Sequence, residues 1–272
     1  MESLFFPGLA VQMTALIFAI LIKDRKKSLI LSQVILIIGI IISFLPVLIS
    51  LLPGHAGINI SYNGMFRFDG LTKFFLFVIQ IIAVPTSIYN LSYFDHYIKK
   101  GHSAASSIVF FIILVVACQF IVISNHAIMF LISWEIMGTS AYGAMLFEKE
   151  KPDVQKGSFY YFVASHVLVF IMYIAFFLLH RESGSWFFTD FDLSGSESSI
   201  VAAIFLLSFA AFGIKAGFIP FHFWLPRAHP VAPTPLSAFL SGIIIKLGIY
   251  GIMRTILFLR QFPSGWAGLF LQ

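Results

Sequence analysis

Apolar and polar residues come in blocks along this chain, not in short alternation. Apolar runs near 20 residues long follow one another up to about position 258, each closed by a short polar stretch. That length crosses a bilayer core as a helix. The pattern predicts about eight helices, at roughly 4–22, 29–52, 70–91, 105–123, 126–146, 158–180, 199–219 and 236–258. The fold class is all-α, a polytopic membrane helix bundle. One helix is expected to be interrupted. Residues 220–235, PFHFWLPRAHPVAPTP, hold five prolines, and an interior proline lacks the donor and clashes with the preceding turn. The seventh helix should therefore end or unwind after Gly217, with Pro220 in the break. Irregular backbone at membrane depth needs protein or water to satisfy it, so the break is expected to line a cavity. The other long polar connection, 181–198, carries Trp186, Phe187 and Phe188, expected as aromatic anchors at the interface.

Three charges interrupt the apolar blocks. Glu135 lies in AIMFLISWEIMGTSAYGAML, Lys215 in IFLLSFAAFGIKAGFIPF and Lys246 in SAFLSGIIIKLGIYGIM. A charge in hydrocarbon is costly and marks an ion or proton pathway, or else a structural pair. Glu135 shares its helix face with Gly138, Thr139 and Tyr142, a small and hydroxylated surface suited to a neighbouring helix. Lys246 is central in its span, with Gly242 and Tyr250 four residues to either side, and its stem is too short to snorkel from there. Lys215 stands near the end of its run, where a snorkelling anchor is the structural alternative. Gly213, Gly217 and Pro220 around it favour an interruption that admits water. Burial disfavours the ammonium form of a lysine and a nearby carboxylate favours it. A Glu135 charge moving toward or away from Lys215 would thus switch that lysine, and Lys246 would receive its proton through water. Each charge moved against 100 mV requires about 2.3 kcal/mol, so the driving force must come from elsewhere.

Histidines add candidates. His166 lies inside YYFVASHVLVF, while His222 and His229 lie in the broken segment. Each fits a proton route near neutral pH, or a local hydrogen bond to backbone or neighbour. His96, His102 and His126 read as surface residues, and Asp69 and Lys73, four apart, as a local pair at a helix start.

Composition agrees with a membrane protein: 59% hydrophobic, 11% charged and a mean hydropathy of +0.95. The net charge of +5 is no nucleic-acid signal, because basic residues sit at span ends. With the N-terminus outside, cytoplasmic loops hold ten basic residues: Lys23, Arg25, Lys26, Lys27, Lys99, Lys100, Lys149, Lys151, Lys156 and Arg227. The opposite side holds five: Arg67, Lys73, Arg181, Arg254 and Arg260. The asymmetry predicts that the N-terminus lies outside. The single cysteine, Cys118, excludes an internal disulfide and a cysteine-ligated metal or cluster within the chain. No metal or organic cofactor is expected.

The stretch GIKAGFIPFHFWLPRAHPVAPTPLSAFLSGIIIKLGIYGIMR resembles the core signature of the antiporter-like membrane subunits. These occur in respiratory complex I, in formate-hydrogenlyase-type membrane-bound hydrogenases and in Mrp-type cation/proton antiporters. FLISWEIMGTSAY is similar to that family's fifth helix and FRFDGLTKFF to the start of its third. The form PRAHPVAPTPLSAFLSGIIIK is most like the large hydrogenase-type subunit. The resemblance implies that Glu135 modulates the lysine, that Lys215 stands on the interrupted seventh helix, and that Lys246 belongs to a central hydrophilic axis. It also implies helices 1–3 over 1–104 and a first antiporter-like repeat over 105–258. Family members have roughly fourteen core helices in two inverted repeats, so 259–272 is expected to begin a missing C-terminal half. The implied function is proton translocation within an energy-transducing oxidoreductase complex, with other membrane-arm subunits and a peripheral redox module as partners. Sodium/proton exchange and a non-conducting structural fragment are the alternatives.

Overall fold

The computed structural model describes residues 2–52, 59–61, 63–193 and 195–259. Arg260, and the expected C-terminal segment beyond Leu259, lie outside the described residues. Helices dominate. α1 (Glu2–Leu21) and α2 (Arg25–Ser50) form a hairpin, with Asp24 capping α2 by accepting from the Lys27 amide at 2.9 Å. Gly8 and Gly39 sit where these two helices cross. A Cβ on Gly39 would come within 2.6 Å of the Gln12 amide nitrogen, so the crossing needs glycine.

A two-stranded antiparallel ribbon follows, β1 (Asn59–Ser61) and β2 (Phe66–Phe68), pairing Asn59 with Phe68 and Ser61 with Phe66. The block pattern of the sequence did not reveal these three-residue strands. Then come α3 (Gly70–Lys99), α4 (Ala105–Ile123), α5 (Ala127–Met145) and α6 (Pro152–Ser183). Pro152 opens α6 at its first turn and Gly184, at φ 71°, closes it. α7 (Ser198–Ala216) ends at Gly217, whose φ of 72° lies in the left-handed region that favours glycine. After it come a short 3-10 turn (Phe221–Trp224), α8 (Leu225–Ala228), α9 (Thr234–Phe239), a π-helical turn (Leu240–Ile244) and α10 (Ile245–Phe258). The expected interruption of the seventh helix is therefore present, at Gly217.

Among the described residues, seven helical segments are long and apolar enough to cross a membrane. α5, the fifth of the eight expected spans, is helical but is not among the seven. It carries Ser133, Glu135, Thr139 and Ser140 and packs between α4 and α6. Large apolar side chains such as Ile20, Phe170 and Phe177 point outward, the surface lipid requires.

The 181–198 connection departs from expectation. Phe188 is core, not an interfacial anchor: its ring stacks on Phe176 at 5.7 Å and meets Phe258 at 4.7 Å. Trp186 stacks on His180 at 4.0 Å. Ring-on-ring burial wins here because α6 and α10 present aromatic partners.

Candidate functional site

Lys215 occupies the last turn of α7 and is 1% exposed. The turn ends there because Gly217 reverses the chain: the Phe218 amide donates to Gly213 O at 3.0 Å. Trp224 then folds back, donating from Nε1 to Ile214 O at 2.7 Å. The loop thus lays an indole over the end of the helix that carries the lysine. From α6, Tyr161 and Ser165 face the amine. Lys215 Nζ donates to Tyr161 Oη at 2.8 Å and to Ser165 Oγ at 3.0 Å. The Tyr161 ring centroid is 4.2 Å away and that of Trp224 5.8 Å, cation–π range. Among the described residues no carboxylate lies within ion-pair distance of Nζ.

Glu135 stands next to this cage. Its Oε2 is 3.5 Å from His166 Nε2, with the two side chains 31% and 38% exposed. His166 Nδ1 lies 2.8 Å from Phe162 O, an acceptor that only an N–H can satisfy. In a neutral ring Nε2 is then a bare lone pair facing a carboxylate. Ser165 and His166 are consecutive on α6, so one residue reaches the lysine and the next reaches the glutamate. Gly138 of α5 faces Ser165, its Cβ position lying at ordinary contact distance, 3.5 Å, from Ser165 Cβ.

The other candidates are placed apart. Lys246 is exposed on the outer face of the described bundle, its Nζ donating to Ser241 O in the π-helical turn. Tyr250, which spacing put on its face, is fully buried and donates to Val122 O at 2.9 Å. His229 Nδ1 is 2.6 Å from Ser237 Oγ. His222 is half-buried, and its Nδ1 has no hydrogen-bond partner. Gly217 and Pro220 flank the break as expected.

Asp69 is corrected most. Its ion-pair partners in the structure are Arg67, with Nε at 3.0 Å, and Arg254, across 185 residues of sequence. Asp69 also caps α3 by accepting from the Thr72 amide at 2.8 Å. Arg254 donates further to Thr72 Oγ1 at 2.9 Å and Tyr250 Oη at 3.0 Å. Burial works to raise the Asp69 carboxyl. The hydrogen bond and charge of Arg254, the Thr72 amide and the Arg67 charge outweigh it and hold the group at about 2. His126, read as a surface residue, is half-buried against the Phe187 ring at 4.9 Å.

Sequence reading missed Tyr161, Ser165 and Trp224 around the lysine. Tyr161 and Ser165 are four apart on the span that carries His166, a spacing that could have flagged a polar face.

A bundle of apolar helices with a lysine caged at a helix break and a glutamate beside it defines a polytopic membrane protein with titratable groups inside its spans. Residues 124–272, over half of the sequence, match the family model described as NADH:quinone oxidoreductase/Mrp antiporter, TM. The chain belongs to this family of antiporter-like membrane subunits. It is 38% identical over 188 residues to hydrogenase-4 component B of Escherichia coli, covering 69% of this chain and 28% of that protein. With the putative antiporter subunit mnhA2 of Staphylococcus saprophyticus it shares 28% identity over 194 residues, 70% of this chain and 24% of that protein. The chain thus spans about a quarter of the length of these two relatives.

Solved structures give the same fold. A chain of the membrane-bound sulfane sulfur reductase, an archaeal respiratory membrane complex, matches with a TM-score of 0.76 at 16% identity, over 98% of this chain and 54% of that one. Respiratory complex I from Thermus thermophilus gives 0.71 at 15%, over 91% and 52%. The Mrp complex of Dietzia sp. gives 0.71 at 18%, over 92% and 48%.

Proposed function

We propose that this chain is a proton-translocating membrane subunit of an energy-transducing oxidoreductase complex, and that Lys215 takes up and releases the proton. The observation that carries the reading is the Lys215 cage: a buried amine held by two neutral hydroxyls, Tyr161 and Ser165. A fixed counter-charge would lock the ammonium. Hydroxyls both donate and accept, so the cage accommodates amine and ammonium alike. Glu135, paired with His166, supplies the nearby charge that biases which form is held. Lys246 passes the proton on at the outer face, and His222 and His229 line the approach through the break.

Within this reading, residues 105–258 form the first antiporter-like repeat. Other membrane-arm subunits pack beside it in the inner membrane, and redox chemistry belongs to a peripheral partner. The N-terminus lies outside. Of the five basic residues assigned to that side, Lys73 and Arg254 are buried and Arg67 is paired with Asp69. The remaining loop charge is therefore more one-sided than the raw count, which supports the orientation. Sodium/proton exchange is the second reading, favoured by the likeness to the antiporter subunit.

The test is proton uptake by the assembled complex in liposomes. Lys215→Met should abolish driven uptake while the complex remains assembled; uptake equal to wild type removes the proposal. Uptake that requires a sodium gradient selects the second reading.

A further inference from the structure

The first four helices bury a second set of polar groups, well apart in sequence from the Lys215 cage. At its centre, one side chain from each helix meets the others. Gln119 Nε2 donates to Gln12 Oε1 at 2.6 Å, and Gln12 Nε2 to Ser43 Oγ at 3.0 Å. Gln80 Nε2 donates to Ser43 Oγ at 2.9 Å and to Gln119 Oε1 at 3.1 Å. Further along α2 and α3, Asn90 Nδ2 donates to Gln33 Oε1 at 3.2 Å. All of these side chains are fully buried.

The groups form a column because of spacing. Gln80, Ser87 and Asn90 are seven and three residues apart on α3, which puts them on one face. At 1.5 Å per residue they cover about 15 Å of the span. Lys73, also buried, continues the same stripe toward the ribbon end, for about 25 Å in all.

Three atoms in this column have no hydrogen-bond partner: Gln80 Oε1, Ser87 Oγ and Gln33 Nε2. Exchanging the oxygen and nitrogen of either amide moves the orphan without removing it, since one end of each amide has partners and the other has none. Buried polar groups in a membrane must be satisfied from within, and those left by side chains are met by bound water, which makes about three hydrogen bonds. Every member from Gln80 to Asn90 is a neutral amide or hydroxyl, with no carboxylate among them to hold a metal cation. A small neutral molecule that both donates and accepts is what these groups recognise.

We propose that α1–α4 hold a file of bound water molecules along this column, from the Gln12–Ser43–Gln80–Gln119 cluster past Ser87 to the Gln33–Asn90 pair. The file is separate from the Lys215 cage and does not depend on the function proposed for it. Because every member of the column from Gln80 to Asn90 is a neutral amide or hydroxyl, any proton crossing that stretch travels on water alone.

Hydroxyl-radical footprinting of the assembled complex tests this, since radicals generated in place label residues beside bound water. Leu36 lies on the same buried face of α2, between Gln33 and Ser43, and Leu179 of α6 is an equally buried control. The expected result is labelling of Leu36 several-fold faster than Leu179. Ser87→Ala, alone or with Gln80→Leu, should bring Leu36 down toward the control. Labelling of Leu36 no faster than Leu179 in the wild-type complex, or unchanged in the variants, overturns the proposal.

Discussion

Asp69→Asn should destabilise the bundle more than any other single substitution at its ribbon end. The change keeps the side-chain shape and leaves an oxygen to cap α3. It strips Arg254, 2% exposed, of its counter-charge and also removes the charge that Arg67 faces at 3.0 Å. Removing one partner of a buried ion pair costs about 3–5 kcal/mol. Arg254 retains Thr72 Oγ1 and Tyr250 Oη, so the lower figure, about 3 kcal/mol, is expected.

Proton linkage supplies a second figure for the same contacts. Asp69 is held at about 2 against an ordinary 3.8, a difference that corresponds to about 2 kcal/mol. The group is depressed, so its contribution is complete above the unfolded value and is lost as pH falls through about 2. Denaturant titration of the purified protein in detergent, at pH 7 and at steps down from pH 4, measures both. Wild type should lose stability over the acid steps, and Asp69→Asn should start lower and lose less. Arg254→Met in the Asp69→Asn background should restore part of the loss. Additive single and double losses, or a drop below about 0.5 kcal/mol for Asp69→Asn, would refute the cluster as a coupled unit.

Tyr161→Phe removes one of the two hydroxyls on Lys215, a hydrogen bond to a charged group worth about 1.5–3 kcal/mol. Proton uptake in liposomes should fall about tenfold or more, with Ser165→Ala smaller but in the same direction. Gly248→Ala places a Cβ 2.5 Å from Ala216 N and 2.7 Å from Phe212 O. Backbone cannot yield as a side chain can, so the denaturation midpoint should drop by the equivalent of about 1–3 kcal/mol. His166→Ala should change stability by under about 1 kcal/mol, because its contact with Glu135 is long and a third exposed; a larger loss in the same titration would mean that the pair is structural.

The chain wrote some of this plainly and some of it not at all. Block hydropathy located every long helix, and the glycines and prolines after Ile214 located the break, because both signals are local. Lys246 shows the limit. Its depth is set by counting residues along a span, but the direction it faces is set by which neighbours α10 meets, and α7 takes the opposite face through Gly248. Asp69 was assigned to Lys73 by helical spacing, yet an arginine 185 residues away holds it. Such pairing is invisible to any window-sized pattern. The polar column of α1–α4 was half legible: Lys73, Gln80 and Ser87 recur every seven residues within an apolar helix. The partners on three other helices were not.

Gly248 also decides how the two lysines relate. It stands two residues after Lys246 and abuts Ala216, the neighbour of Lys215. Without a side chain to cushion them, the two backbones mesh like teeth on paired wheels. The approach leaves no space for a side chain between the strip of α10 that carries Lys246 and the strip of α7 that carries Lys215, so a methyl group added at this one point would disturb the setting of both amines.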